Sequence, residues 1–107
     1  TVWICEGPTD TAAALSMGLY AVGRPSCNCG GPEIAQHCKR IGIRKAVIVA
    51  DNDVPGLRGA EKIANELKMS SVVICPPAKD IREFYRNGGD AEELQFMVNQ
   101  NVWRTKL

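Results

Sequence analysis

Two aspartates separated by one residue follow the most uniformly apolar run of the chain. Residues 46–50 are all small or apolar, and Asp51 and Asp53 come directly after them. If the backbone stays extended there, both carboxylates leave the same side of the chain, where their charges repel each other. A divalent cation would relieve that repulsion, and carboxylate oxygens are hard ligands that suit Mg²⁺ or Mn²⁺. The spacing therefore predicts a magnesium or manganese site.

The elements that position these aspartates alternate between strand and helix. The apolar runs predict four short strands, at residues 2–5, 19–22, 46–50 and 71–75. Turn residues, capping residues and apolar periodicity predict helices from about Thr9 to Gly18, Pro32 to Gly42, Gly56 to Leu67, Asp80 to Arg86 and Asp90 to Val98. Strands that alternate with helices predict an α/β fold, with a central, mainly parallel four-stranded sheet flanked by helices. In the third helix, one stripe is predicted to be buried: Leu57, Ala60, Ile63, Ala64 and Leu67.

Acidic residues follow several strands of this predicted sheet. Glu6 ends the first strand, Asp51 follows the third, and Lys79 and Asp80 follow the fourth. Because parallel sheets place their sites at the carboxyl ends of the strands, we expect these side chains to meet at one edge. Glu6 beside a bound metal would act as a general acid or base on a phosphoryl or hydroxyl oxygen.

The first helix adds two further expectations. Asp10 lies one turn into this helix and would ligate the metal directly or through water, while the helix start favours a phosphate. Gly7 and Gly56 are predicted to leave room for a ligand. Taken alone, the run from Asp51 to Gly56 is also typical of a simple turn or helix cap.

Composition excludes several function classes. The 107 residues fit one domain, and no apolar run approaches the ~20 residues of a membrane span. The chain starts at Thr1 inside a predicted core strand, which indicates a segment of a longer protein.

With a net charge of +1, the chain has no strong general electrostatic attraction to DNA or anionic lipid. The nearest basic cluster is interpreted as a solvated helix face and loop, with Arg24 expected nearby: Lys39, Arg40, Arg44 and Lys45.

Cysteine usage favours a reduced, cytoplasmic chain. Cys5 and Cys75 lie in apolar runs and are expected to be buried. A second group contains residue types that bind zinc: Cys27, Cys29, His37 and Cys38. A zinc site is disfavoured, because the first two cysteines are spaced too tightly and adjacent helical residues point about 100° apart. Any role of these cysteines beyond packing stays open, and His37 is expected to be an exposed helix residue.

Other sites fit the aspartates less well. A calcium-binding EF-hand loop would need glutamate where Lys62 stands, and neither a phosphate-binding P-loop nor a nucleophile elbow is present in the sequence.

Residues 2–10 and 47–56 together resemble the Toprim domain shared by bacterial-type primases, topoisomerases, and some nucleases and recombination proteins. The resemblance extends over nearly the whole chain. It implies that residues 1–107 form a single Toprim domain with its Rossmann-like fold. It is strongest to primases, because Gly59 and Ala60 continue the second motif and residues 77–83 are similar to a segment after the fourth strand of primases. Residues 23–26 also look like versions found in primase-like proteins of phages, plasmids and mobile elements.

The resemblance implies a role for each matching residue. Glu6 is implied as the catalytic acid or base, Lys79 as a catalytic phosphate contact, and the metal ligands as Asp51, Asp53, Asp10 and Asp80. The implied activity is Mg²⁺-dependent synthesis of RNA primers on single-stranded DNA from nucleotides, in partnership with a replicative helicase. Arg82 departs from the pattern, because some primases carry an acidic residue there, and this leaves the number of metals open.

Three alternatives stay open from the residues. A Toprim nuclease would cleave phosphodiester bonds with the same acids, and a non-catalytic module would bind nucleic acid or replication proteins. A phosphatase of the haloacid dehalogenase type would use the first aspartate as a nucleophile, but such enzymes carry that motif on their first strand.

Overall fold

A parallel sheet lies between two helical layers in the computed structural model, which describes residues 1–24 and 30–104. The strands are β1 (Val2–Cys5), β2 (Ala21–Gly23), β3 (Lys45–Val49) and β4 (Ser70–Ile74). The helices are α1 (Pro8–Ser16), α2 (Gly31–Ile41), α3 (Val54–Glu66), α4 (Ile81–Arg86) and α5 (Ala91–Asn99). The predicted α/β fold with four strands is therefore confirmed.

The strand order is β2-β1-β3-β4, and every neighbouring pair is parallel. Val2 pairs with Ala46 across β1 and β3, and Val47 pairs with Val72 across β3 and β4. The two central strands are covered on both faces, which explains why their sequences are continuously apolar. This order places the carboxyl ends of β1 and β3 side by side, so that the residues that follow them become neighbours.

Each face of the sheet has its own apolar core. Alternate strand residues such as Ile4 and Ile48 pack against α2 and α3, while Trp3 and Val47 pack against α1, α4 and α5. The predicted stripe of α3 is buried with one exception: Leu57 is 40% exposed, so its assignment to the buried face was wrong. Gly56 and Gly59 are buried in the first turns instead, and at Gly56 the nearby Asp51 and Asp53 leave no room for a side chain.

Three helices begin with an aspartate cap. Asp53, Asp80 and Asp90 each accept a hydrogen bond from the backbone N–H three residues ahead, which satisfies one of the unpaired donors of the first turn. At the other end of α2, Gly42 has a φ of 78°, a left-handed conformation that glycine adopts without strain. The predicted helix starts and stops therefore agree closely with the structure.

A few sequence-based expectations differ from the structure. The second strand begins at Ala21 instead of Leu19, because Leu19 closes the end of α1 through its N–H bond to Ala14. Cys5 is buried as expected, but Cys75 lies just beyond β4 and is only half-buried. His37 is exposed, whereas the neighbouring Cys38 is buried.

Cys27 and Cys29 lie outside the described residues, so their expected lack of a zinc role stays a prediction. Within the described part of the chain, every helix is too short or too polar to cross a membrane.

The Asp90 cap of α5 provides a test of these helix starts away from the acidic residues of interest. We expect Asp90→Ala to lower the free energy of unfolding by about 1 kcal/mol, because the N–H of Glu93 loses its acceptor. Asp90→Asn should keep most of the stability, since asparagine caps about as well. Urea denaturation of the three proteins measures the difference, and equal midpoints for all three would contradict the capping assignment.

Candidate functional site

The acidic residues predicted from the sequence lie in the loops and first turns at the carboxyl end of the sheet. Glu6 follows β1, Asp51 follows β3, and Asp80 follows the β4 loop. The β3–α3 and β4–α4 loops are joined by a backbone hydrogen bond of 2.8 Å from the N–H of Asn52 to the carbonyl of Lys79. This bond holds the segment that carries Asp51 against the one that carries Asp80.

Asp51 carries the strongest electrostatic perturbation among the described carboxylates. Burial, a hydrogen bond with Glu6 and the charges of Glu6, Asp10 and Asp80 together raise the pKa of Asp51 from 3.8 to about 7. The four residues are hereafter called the acidic edge: Glu6, Asp10, Asp51 and Asp80. The charges of Glu6, Asp10 and Asp80 act on Asp51, and those of Asp80 and Glu6 act on Asp10, so the four side chains lie within electrostatic range of one another.

Asp10 reaches the acidic edge from α1 and is only 6% exposed. Burial raises its pKa most, the charge of Asp80 raises it next, and a hydrogen bond from the N–H of Arg82 opposes this. That hydrogen bond is long, at 3.4 Å to Oδ1 of Asp10, and it connects α1 with the start of α4. The predicted inclusion of Asp10 in the cluster therefore agrees with its position.

Glu6 has a cationic neighbour that the sequence had not indicated. The guanidinium of Arg24 is fully buried, and its Nη2 lies 3.7 Å from Oε2 of Glu6. The backbone N–H of Arg24 donates to the carbonyl of Cys5, which fixes Arg24 just beyond the end of β2. Arg24 therefore belongs to the carboxyl end of the sheet, and its expected place near the basic cluster of α2 was wrong.

Asp53 does not lie parallel to Asp51, because the chain is not extended between them. The N–H of Asp53 donates to the carbonyl of Asp51 at 2.8 Å, which closes a tight bend. The side chain of Asp53 turns toward α3, where its Oδ1 accepts the N–H of Gly56 at 2.6 Å. The predicted extended geometry was wrong, and one oxygen of Asp53 acts as a helix cap.

The two predicted ligand-approach glycines differ in their surroundings. Among residues 1–24 and 30–104, no atom lies within 4 Å of the position that a Cβ would take at Gly7, the residue after Glu6. At Gly56 a Cβ would lie 2.8 Å from the carbonyl oxygen of Asp51 and 2.9 Å from the Cβ of Asp51. Gly56 thus lets the first turn of α3 pack against Asp51 itself, and the space around it is taken by the chain.

Lys79 and Asp80 begin α4 with a reciprocal cap. Asp80 accepts the N–H of Glu83 at 2.8 Å, and Glu83 accepts the N–H of Lys79 at 2.6 Å. Lys79 also lines a shallow pocket with Arg82 and Arg86, two basic residues beside the acidic edge. The sequence placed Lys79 at this end of the sheet but did not indicate that α4 adds further positive charge.

A divalent cation fits the chemistry of this edge. Within residues 1–24 and 30–104, no three Asp, Glu, His or Cys side chains form a ready coordination group. Mg²⁺ does not require one, because it commonly binds through one or two carboxylates and completes its shell with water and substrate phosphates. Burial raises the pKa of Asp51 most and the neighbouring carboxylates raise it further, and a cation bound nearby would act in the opposite direction.

The pKa of Asp51 predicts a pH-dependent stability in metal-free solution. Between about pH 4 and pH 7 the folded protein keeps the Asp51 proton that the unfolded chain has lost, so stability falls as pH rises through this window. Asp51→Asn removes the effect and should stabilise the protein at pH 8 by about 1 kcal/mol, or ~4–8 °C in Tm, after discounting for solvent screening.

Thermal unfolding with a chelator, at pH 4 and pH 8, measures this difference. Asp90→Asn is the matched control and should follow the wild type at both pH values. A Tm difference between Asp51→Asn and wild type that is the same at pH 4 and pH 8 would contradict the electrostatic account.

The close packing of Gly56 gives a second prediction. Gly56→Ala should lower the free energy of unfolding by about 1 to 2 kcal/mol, because the clash with Asp51 exceeds the gain in helix propensity. Gly7→Ala is the matched control and should change stability by less than about 0.5 kcal/mol, since its Cβ meets open space and its backbone is extended. Chemical denaturation measures the free energy of unfolding of both variants. A Gly56→Ala protein more stable than the wild type would contradict the packing described.

Comparisons with known proteins support the architecture. No family model matches the chain. The chain is 28% identical over 86 residues to Gene 57 protein of Mycobacterium phage D29, and the match covers 80% of this chain and 55% of that protein. A crystal structure of a DNA primase domain from Pseudomonas aeruginosa matches with a TM-score of 0.78 at 16% identity, over 97% of this chain and 34% of that chain.

The chain therefore spans about half the length of the phage protein and about a third of the solved primase chain. At this level of identity the structural likeness concerns the fold. The four-stranded parallel sheet with its flanking helices is the fold of a DNA primase domain.

Proposed function

We propose that this domain holds the catalytic centre of a primase-like nucleotidyltransferase of the Toprim type, which uses Mg²⁺ or Mn²⁺ to join nucleotides into an RNA primer on single-stranded DNA. The observation that carries the proposal is the acidic edge, where burial and neighbouring carboxylates raise the pKa of Asp51 to about 7. Its location at the carboxyl ends of parallel strands is where α/β folds bind their ligands. The fold likeness to a DNA primase domain supports the same reading.

The carboxylates divide into ligands and auxiliary groups. Asp51 and the free oxygen of Asp53 would hold the cation, with Asp10 and Asp80 as further ligands or water-mediated contacts. When bound, the cation supplies polarisation of the α-phosphate and neutralisation of the developing charge.

Glu6 is assigned the proton transfer. Its carboxylate would accept the proton of the attacking 3′-hydroxyl as the new phosphodiester bond forms and pyrophosphate leaves. Arg24 orients Glu6 from the buried side, 3.7 Å from Oε2. No described residue crowds the Cβ position of Gly7, so a nucleotide would approach Glu6 there.

Basic residues in α4 and just before it would bind phosphate. Lys79, Arg82 and Arg86 line one pocket and outnumber its two acidic residues, Asp80 and Glu83, so the triphosphate of an incoming nucleotide would meet net positive charge there. Any contact with a replicative helicase would involve other surfaces of the full-length protein.

Substitutions at the acidic edge test this proposal. We expect Glu6→Gln and Asp51→Asn each to reduce primer synthesis by the full-length protein at least ~100-fold, because general base catalysis alone contributes about 10²–10⁴. Both variants should remain folded by circular dichroism. The assay measures incorporation of labelled ribonucleotides on single-stranded DNA with Mg²⁺ or Mn²⁺, with Asp90→Asn as the control.

The outcomes separate the alternatives. Undiminished synthesis by Asp51→Asn would overturn the assignment. Metal-dependent nicking of DNA without incorporation would instead support a Toprim nuclease that uses the same carboxylates. Absence of both activities, together with binding to nucleic acid or to a replication protein, would support a non-catalytic module.

A further inference from the structure

Positive charge collects at the end of the sheet opposite the acidic edge. A groove at the amino ends of β3 and β4 runs between the C-terminal half of α2 and the α3–β4 connection. Three cationic side chains line it, Lys39, Arg44 and Lys68, together with the polar residues Gln36 and Ser70. We call this surface the basic groove. Although the net charge is only +1, the two ends of the sheet therefore carry opposite charge.

No ion pair joins a cation of the basic groove to a carboxylate within residues 1–24 and 30–104. All three are exposed, and none of the residues that line the groove is acidic. Among the described residues, the ion pairs involve other cations, such as Lys62 with Glu66 and Arg104 with Glu61. The positive charge of the groove is thus available to an external anion.

Stabilisation of α2 explains the positions of these three cations only in part. Lys39 lies in the last turn of α2, where the helix dipole favours a cation. Arg44 follows that helix in the connection to β3 and gains less from it. Lys68 has a φ of 51°, a left-handed conformation that costs a lysine roughly 1 kcal/mol relative to glycine. Lys68 therefore places a charged side chain at a position where glycine would make the protein more stable.

A nucleic acid substrate needs such a surface. The acidic edge repels phosphates unless a cation is bound, and the small net charge provides no general attraction. We propose that the basic groove binds the phosphodiester backbone of a nucleic acid strand, independently of the metal and without reading the base sequence. The choice of nucleic acid among polyanions rests on the proposed function, whereas the anion site itself rests on the groove.

The number of cations sets the expected strength. About three phosphate contacts predict that log K for single-stranded DNA falls with log[salt] with a slope of about −2. Binding should therefore be weak, with Kd on the order of 10⁻⁵ M at low salt, and should be lost near physiological salt.

Fluorescence anisotropy with a labelled oligodeoxythymidylate tests the proposal, at several salt concentrations and with a chelator present. Arg44→Gln/Lys68→Gln should weaken binding at low salt at least ~10-fold. It should also reduce the magnitude of the slope of log K against log[salt] to below about 1. The matched control is Arg58→Gln/Lys62→Gln on α3, which changes the net charge equally but lies outside the groove, and it should bind nearly as the wild type does.

Equal losses in both double variants, or no loss in the groove variant, would overturn the assignment. Poly-L-glutamate that competes as strongly as the oligonucleotide would overturn the choice of nucleic acid. Asp51→Asn/Asp53→Asn separates the two proposals: it should abolish primer synthesis and keep metal-free DNA binding. If the wild type and all variants fail to synthesise primers, but DNA binding still depends on the groove residues, the proposed function is wrong and the groove assignment stands.

Discussion

Like-charge repulsion at the carboxyl end of the sheet is the constraint that shapes this domain. Asp51 shares its surroundings with Glu6, Asp10 and Asp80, and burial with these neighbours raises its pKa to about 7. The strand order and the hydrogen bond between Asn52 and Lys79 hold the carboxylates together despite that cost. Mutually perturbed carboxylates cost stability and are found most often at functional sites, and this is the basis of the proposed cation site.

The chain stabilises some of these carboxylates and leaves others strained. Asp53 and Asp80 accept N–H groups at the starts of α3 and α4, where helix dipoles favour negative charge. Glu6 has the buried guanidinium of Arg24 as a neighbour. Burial raises the pKa of Asp51 and of Asp10 most, and neighbouring carboxylates raise both further, although the N–H and the charge of Arg82 partly offset this at Asp10. An added positive charge near these two side chains would therefore be stabilising.

Much of the fold could be predicted from sequence, because its signals are local. Continuous apolar runs gave the strands, and aspartates followed by helical patterns gave the starts of α4 and α5. The features that were missed depend on non-local geometry. The strand order, which brings Arg24 to Glu6, is not encoded in any single segment. Sequence periodicity also did not indicate the bend between Asp51 and Asp53 or the exposure of Leu57.

The central claim is that the acidic edge binds a divalent cation, and NMR titration with Mg²⁺ tests it most directly. The account predicts saturable amide shift changes around Glu6, Asp51 and Asp53 in the wild type. It predicts their loss in Asp51→Asn/Asp53→Asn, which retains the helix cap because asparagine also caps. Asp90→Asn should titrate like the wild type. An absence of shifts up to several millimolar Mg²⁺, or unchanged shifts in the double variant, would contradict the account.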